Sequence, residues 1–296
     1  MKIGFVGLGA MGVPMALHLV KSGHTVRGFD VRAGAADVLV AAGGSAATSA
    51  ADAARDADLL WLMVVSGDQA ESVLFDGGAA AALPANAIVA MGCTQAPAQA
   101  VRIALRLSAM GLAALDAPVS GGIKGADAAS LSIMCAGAAE VLARARPALD
   151  AMGQRIFDCG REIGMGSTAK MINQLLCGVH IAAAAEAMHL AERAGVSTQT
   201  MAEIISVSAG NSWMFGDRMP RMLMAGEPPV TSAVDIFVKD LGIVLGEARA
   251  LKAGLPLSAA AMQMFLAASG LGHGAADDSQ VIRAYRALNG EGVKAR

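Results

Sequence analysis

The chain has 296 residues and a formal net charge of -2, and 55% of its residues are hydrophobic while 16% are charged. That length is typical of two domains, and the composition excludes a disordered chain. The charges nearly balance and form no basic run, so we expect no nucleic acid partner.

Cysteine spacing and the start of the chain indicate a reducing compartment. The four cysteines lie far apart and form no metal-ligand pattern: Cys93, Cys135, Cys159 and Cys177. The first residues are typical of a strand and a glycine-rich turn rather than a secretion signal, so we expect reduced thiols, no metal and a cytoplasmic location. The uncharged stretch at residues 77–101 contains two prolines and several polar residues, so we expect no membrane-spanning helix.

Short apolar runs alternate with helical patterns in the first half. Strands are predicted at residues 3–6, 25–29, 59–65, 87–91, 112–116, 131–135 and 155–157. Continuous apolar strands that alternate with helices are typical of an α/β, doubly wound and mainly parallel sheet with both faces covered.

The second half has helical patterns and almost no strand signal. Residues 168–194 predict one long helix that ends at Gly195. We therefore expect two domains, a nucleotide-binding domain at residues 1–163 and an all-helical domain at residues 164–296. Residues 211–221 and 227–235 carry Pro, Gly and polar residues and are predicted as loops.

A glycine motif follows the first strand. Gly7-Leu8-Gly9-Ala10-Met11-Gly12 leads into a helical pattern, as in dinucleotide-binding turns. Asp30 ends the second strand, 21 residues after Gly9, where a carboxylate accepts hydrogen bonds from a ribose and repels a 2′-phosphate. The pattern predicts NAD rather than NADP, although Arg32 weakens that preference. The alternative is a glycine turn that binds no dinucleotide.

Two segments carry candidate catalytic groups. Ser120-Gly121-Gly122 follows a strand and offers backbone donors for a carboxylate, unless it is only a connection. Lys170 lies in an apolar helix start, where burial favours the neutral amine that transfers protons. Asn173 and Gln174 follow on the same helical face, where they could hold a substrate. The alternative is a lysine that extends to solvent.

Three weaker candidates lie elsewhere. Thr94 follows a strand on the side where doubly wound sheets bind ligands, but a helix cap explains it equally well. Lys239 and Asp240 form a charged pair in an apolar helix, which could close over a ligand or lie at the surface. Asn211 precedes two aromatic residues, as in a binding lip or a hydrophobic plug between helices.

Four segments together resemble the 3-hydroxyacid (β-hydroxyacid) dehydrogenase family: residues 3–12, 116–122, 164–174 and 237–241. The resemblance covers essentially the whole chain. It implies a Rossmann domain, an all-α domain joined to it by a long helix, and a homodimer or homotetramer. It also implies that Lys170 is the catalytic acid/base. The implied substrate-binding residues are Ser120, Gly121, Gly122, Asn173, Gln174, Asn211 and Asp240. The implied cofactor-binding residues are Gly7, Leu8, Gly9, Ala10, Met11, Gly12, Asp30, Val31, Arg32, Met63, Val64, Thr94 and Lys239.

One departure from the family pattern concerns the substrate amides. Many members have two asparagines after the lysine, whereas this chain has Asn173-Gln174. Residues 174–183, 209–215 and 232–240 most resemble the subgroup that oxidises a four-carbon sugar acid, L-threonate, at C2. The alternatives are oxidation of 3-hydroxyisobutyrate, reduction of tartronate semialdehyde, an imine reductase, and a catalytically silent dinucleotide-binding protein.

Overall fold

A six-stranded parallel sheet forms the centre of the first of two structural units, Met1–Met171. The structure is a computed structural model and describes residues 1–290. The strands lie in the order β3-β2-β1-β4-β5-β6. They are β1 (Lys2–Val6), β2 (Thr25–Phe29), β3 (Ser45–Ala46), β4 (Leu59–Leu62), β5 (Ile88–Met91) and β6 (Ala113–Asp116). This order confirms the predicted doubly wound sheet.

Helices connect these strands and cover both faces of the sheet. They are α1 (Gly12–Lys21), α2 (Asp37–Ala41), α3 (Ala50–Ala54), α4 (Gly67–Phe75), α5 (Ala79–Ala82) and α6 (Pro97–Ala109). Every residue of β4 and β5 is buried, because two separate apolar clusters pack against the sheet. This burial explains why the strands are apolar throughout instead of alternating with polar residues.

The last strands of the first unit form a second, smaller sheet. It contains β7 (Val119–Ser120), β8 (Leu131–Cys135) and β9 (Gly153–Asp158), with α7 (Gly122–Asp127) and α8 (Ala139–Met152) between them. The two-residue strands β3 and β7 were not predicted, since so short a segment carries no period. The predicted strand at residues 59–65 ends at Leu62, and the three residues after it belong to the loop.

The second unit begins at Ile172 and is helical in the part that the structure describes. Its helices are α9 (Met165–Ala194), shared with the first unit, α10 (Thr198–Ser206), α11 (Trp213–Met222), α12 (Val234–Ala250), α13 (Pro256–Ala268) and α14 (Ile282–Leu288). A π turn (Ser269–His273) and a 3-10 turn (Asp278–Val281) lie between α13 and α14. The predicted loop at residues 211–221 is wrong, because most of it is α11.

The long helix α9 has 30 residues and ends where Gly195 adopts a φ of 72°. The predicted domain boundary at residue 163 lies in the loop before α9, whereas the two units divide within α9, after Met171. By length and composition α9 could cross a membrane, a test that the core helix of a soluble protein also passes, and 44% of its most apolar window is buried.

Candidate functional site

The glycine turn between β1 and α1 has the shape of a phosphate cradle. Gly7 has a φ of 99°, and a side chain there would meet the Met63 carbonyl oxygen at 2.3 Å. A Cβ at Gly12 would lie 1.9 Å from the Gly7 carbonyl oxygen, so the helix start packs directly on the turn. At Gly9 a Cβ would meet nothing within 4 Å, which leaves open backbone for a pyrophosphate. The three glycines therefore fit a dinucleotide.

Asp30 and Arg32 form a clamp beside this turn. The backbone N–H of Leu8 donates to Asp30 Oδ2 at 2.8 Å, and Arg32 Nε donates to Asp30 Oδ1 at 3.0 Å. Arg32 Nη2 also donates to the Leu8 carbonyl oxygen at 2.9 Å. Partial burial would raise the pKa of Asp30, but the hydrogen bonds and charge of Arg32 outweigh it and hold that pKa below its usual value. The clamp thus presents an ionised carboxylate next to the glycine turn.

The other predicted cofactor residues of the first unit lie along the carboxyl ends of the parallel strands. Met63 and Val64 follow β4, and their backbone packs against Gly7. Thr94 follows the neighbouring strand β5 and is half-buried. Val31 is 90% exposed after β2. Within the turn itself Leu8 is buried, Met11 is half-buried and Ala10 is exposed.

The predicted carboxylate-binding segment lies at the start of α7. Gly121 and Gly122 are exposed and have φ values of 132° and 59°, which other residues rarely adopt. Ser120 is half-buried in β7, paired with Ser132 of β8. Successive backbone N–H groups in such a turn can hold an anion.

Lys170 lies one turn inside α9, and its side chain is only 6% exposed. The carboxylate of Asp116, which is fully buried, accepts hydrogen bonds at the N-terminus of this helix. Burial raises the pKa of Asp116, and the hydrogen bonds from Ser167 and Gly164 oppose that rise. Sequence reasoning did not assign a role to Asp116 or Ser167, because 51 residues separate them.

In the second unit, four predicted residues form one polar cluster. Gln174 Nε2 donates to Asp240 Oδ2 at 2.6 Å, and Lys239 Nζ donates to Asp240 Oδ1 at 2.5 Å. Asn173 Nδ2 donates to the Gln174 side-chain oxygen at 3.1 Å. The longer glutamine at position 174 thus reaches a carboxylate on α12. Asp240 is 2% exposed, so these donors compensate its buried charge.

Asn211 is the predicted site residue that the structure places apart from this cluster. It is exposed, and its side chain donates to the Ser206 carbonyl oxygen at 2.9 Å. It lines a cavity of about 180 Å³ together with His180, Ser212 and Phe215. Gln174, Lys239 and Asp240 do not line that cavity.

A buried ion network fixes α11, and sequence reasoning missed it. Arg218 donates to both carboxylate oxygens of Asp278, at 2.7 and 2.8 Å. Arg221 donates to Asp277 at 3.0 Å, and Asp217 accepts from both arginines. Asp277 and Asp278 lie 56 and 60 residues from the arginines that they bind, so no local pattern signals these two pairs. Within residues 1–290 we find no group of three or more His, Cys, Asp or Glu residues that could hold a metal ion.

Two family models match nearly the whole chain. Residues 2–160 match the NAD binding domain of 6-phosphogluconate dehydrogenase. Residues 164–285 match the NAD-binding domain of NADP-dependent 3-hydroxyisobutyrate dehydrogenase. The two matches meet just before α9.

Named relatives match along nearly their full lengths. The L-threonate dehydrogenase of Cupriavidus necator is 46% identical, over 96% of this chain and 96% of the relative. The L-threonate dehydrogenase of Escherichia coli K12 is 42% identical, over 99% of this chain and 97% of the relative. A crystal structure of 3-hydroxyisobutyrate dehydrogenase from Salmonella typhimurium has a TM-score of 0.90 and 43% identity, and the match covers 96% of this chain and 99% of that one.

Proposed function

Because the chain belongs to the 3-hydroxyacid dehydrogenase family, we propose that it oxidises L-threonate at C2 with NAD. Membership of this family makes the chain an NAD(P)-dependent hydroxyacid dehydrogenase whose substrate is a small-molecule acid. The buried amine of Lys170 is the observation that carries the chemistry. Identities of 46% and 42% to L-threonate dehydrogenases support the substrate. The product is the corresponding 2-oxo acid.

The glycine turn and Asp30 would hold the dinucleotide. The open backbone at Gly9 and the N-terminus of α1 favour the pyrophosphate, and Asp30 favours unmodified ribose hydroxyls, hence NAD over NADP. By family resemblance Thr94 and Lys239 also contact the dinucleotide. The bound dinucleotide would supply the hydride acceptor for the oxidation.

Lys170 would act as the general base in the oxidation. Its neutral amine takes the proton of the C2 hydroxyl as the C2–H bond breaks, so that C2 becomes a carbonyl. The backbone donors of Ser120, Gly121 and Gly122 hold the substrate carboxylate. Asn173 and Gln174 follow Lys170 on the same helix by three and four residues, and their amides orient the remaining hydroxyls. Asp240 fixes the Gln174 amide through the 2.6 Å hydrogen bond.

The position of oxidation has a chemical signature. Oxidation at C2 gives an α-keto acid, which does not readily lose CO2 because no carbonyl lies β to the carboxylate. Oxidation at C3 gives a β-keto acid, which does. Release of CO2 therefore distinguishes the two reactions.

The test is a substrate panel with both cofactors. NADH or NADPH formation is followed with L-threonate, D-erythronate, 3-hydroxyisobutyrate and D-glycerate. We expect selective turnover of L-threonate with NAD and no CO2. Preferred turnover of 3-hydroxyisobutyrate, the second candidate because a 43% identical structure bears that name, would replace the substrate assignment. No turnover of any acid would favour a silent dinucleotide-binding protein.

Two further properties belong to this proposal. The family resemblance supports a homodimer or homotetramer. A cytoplasmic location suits the reduced thiols of Cys93, Cys135, Cys159 and Cys177.

A further inference from the structure

The start of α9 is tied to β6 by one buried carboxylate. Asp116 Oδ2 accepts from the backbone N–H groups of Gly164 and Ser167, at 3.0 and 2.7 Å. Asp116 Oδ1 accepts from the Ser167 hydroxyl at 2.7 Å. Asp116 is 0% exposed and Ser167 is 1% exposed, so water does not compete for these bonds. The carboxylate also complements the positive N-terminal end of the helix dipole.

The first turn of α9 also packs tightly against the neighbouring strands. A Cβ at Gly166 would lie 2.4 Å from the Met134 carbonyl oxygen and 3.0 Å from the Asp116 carbonyl oxygen. Because this turn is held by hydrogen bonds to Asp116 and is closely packed, it can adopt only one position. Lys170 is three residues after Ser167, so its backbone takes its position from this turn.

We propose that Asp116 and Ser167 are positioning residues for Lys170. This inference rests on the proposed function of Lys170 and adds the device that places its amine. Asp116 also lies four residues before Ser120, so one side chain links the segment that binds the carboxylate to the helix that carries the base. Because small displacements of a catalytic group lower the reaction rate by large factors, we expect this link to affect kcat.

A double-mutant cycle tests the proposal. Ser167→Ala should lower kcat about tenfold or more with L-threonate and NAD, while the Kd for NAD stays within about twofold. In the Lys170→Ala background the same change should leave the residual rate within about twofold, because no amine remains to be placed. Equal losses in both backgrounds would assign Ser167 a purely structural role and overturn the inference.

Two variants control for folding and charge. Thr168→Ala removes a hydroxyl of the same turn that donates to the Gly164 carbonyl oxygen at 2.8 Å, and we expect near-normal kcat. Asp116→Asn keeps an oxygen for the two N–H groups and turns an NH₂ group toward the Ser167 hydroxyl. It should retain much more kcat than Asp116→Ala. Equal losses in the two Asp116 variants would overturn the positioning role.

One measurement separates this inference from the proposed function. If the unmodified chain oxidises no hydroxy acid, the proposed function fails, but the reactivity of the Lys170 amine can still be measured. Amine-specific labelling, read by peptide mass spectrometry, should change severalfold at Lys170 in Ser167→Ala and stay constant at Lys2. Unchanged labelling of Lys170 would overturn the inference.

Discussion

The Arg32 side chain donates hydrogen bonds to the Asp30 carboxylate, the group that we propose binds the ribose of the cofactor. Both oxygens of Asp30 accept hydrogen bonds from the Arg32 side chain, at 3.0 and 3.3 Å. Arg32 is itself largely exposed, and Asp30 raises its already high pKa. A 2′-phosphate placed here would meet both the carboxylate and the guanidinium, so the two charges act in opposite directions on the choice of cofactor.

We therefore expect Arg32→Ala to sharpen the preference for NAD. The variant removes the cation that offsets Asp30, so kcat/KM with NADP should fall about tenfold while kcat/KM with NAD changes by less than about threefold. Steady-state kinetics with each cofactor measures both values. Arg146→Ala, which removes an exposed arginine paired with Asp150, is the matched control and should change neither. A proportional loss with both cofactors would contradict the prediction.

Removal of the Lys170 amine should lower kcat by an amount that can be estimated. Positioned acid–base groups contribute roughly 10²–10⁴-fold, so Lys170→Ala should lower kcat by that factor. Fluorescence titration with NAD should give an unchanged Kd, because the glycine turn is separate from α9 in sequence. Near-normal turnover in this variant would exclude Lys170 as the general base.

The element α11 shows how tertiary contacts override local preference. Gly216 and Pro220 within it led the sequence analysis to predict a loop. Ser212 caps the helix by accepting from the Phe215 N–H at 3.0 Å. Arg218 and Arg221, three residues apart, share a face and bind Asp278 and Asp277. Neither the capping geometry nor the distant carboxylates can be read from the local pattern.

The ion network of α11 should give stability a measurable pH dependence. Burial raises the pKa of Asp278 from 3.8 to about 6, although Arg218 opposes the rise. The folded state therefore binds this proton more tightly than the unfolded chain. The stabilising contribution is complete below pH 3.8 and is lost as the pH rises through about 6. Asp278→Asn stays neutral, so wild-type stability relative to this variant should fall by about 3 kcal/mol across that window.

Urea unfolding of the wild type and the variant at both ends of the window measures this difference. Asp277→Asn is the matched control, with the opposite sign. Burial would raise the pKa of Asp277, but hydrogen bonds from Ser279, Thr231 and Arg221 lower it overall. Its stabilisation is therefore present at neutral pH and is lost as the pH falls. The same pH trend in both variants would contradict the assignment.

At the scale of the whole molecule, the hydrophobic pattern and the glycine spacing were sufficient to predict the parallel sheet, the long helix and the Gly7–Gly12 turn. Apolar segments that alternate with helices are stable as strands of a parallel sheet whose two faces are covered by those helices. The hydrogen bonds from Ser167 to Asp116 and from Arg218 to Asp278 join residues 51 and 60 positions apart in the chain. Such contacts form only when the fold brings their partners together, so a single sequence does not display them.

The exposed face of α9 leads to the last prediction, which concerns assembly. Ile172, Leu176 and Leu190 are exposed by 54%, 50% and 66% and lie within about 40° of one another at about 100° per residue. An apolar stripe of this kind on an exposed helix is typical of an association surface. We expect the chain to form homo-oligomers through it.

Leu190→Glu should therefore lower the molar mass in light scattering coupled to size-exclusion chromatography. Burying an unpaired carboxylate in an apolar interface is costly, so the assembly should dissociate at concentrations where the wild type remains associated. Leu105→Glu is the matched control, because that leucine is equally exposed, at 67%, but lies on α6 in the first unit. An unchanged mass in Leu190→Glu, or an equal decrease in both variants, would place the association surface elsewhere.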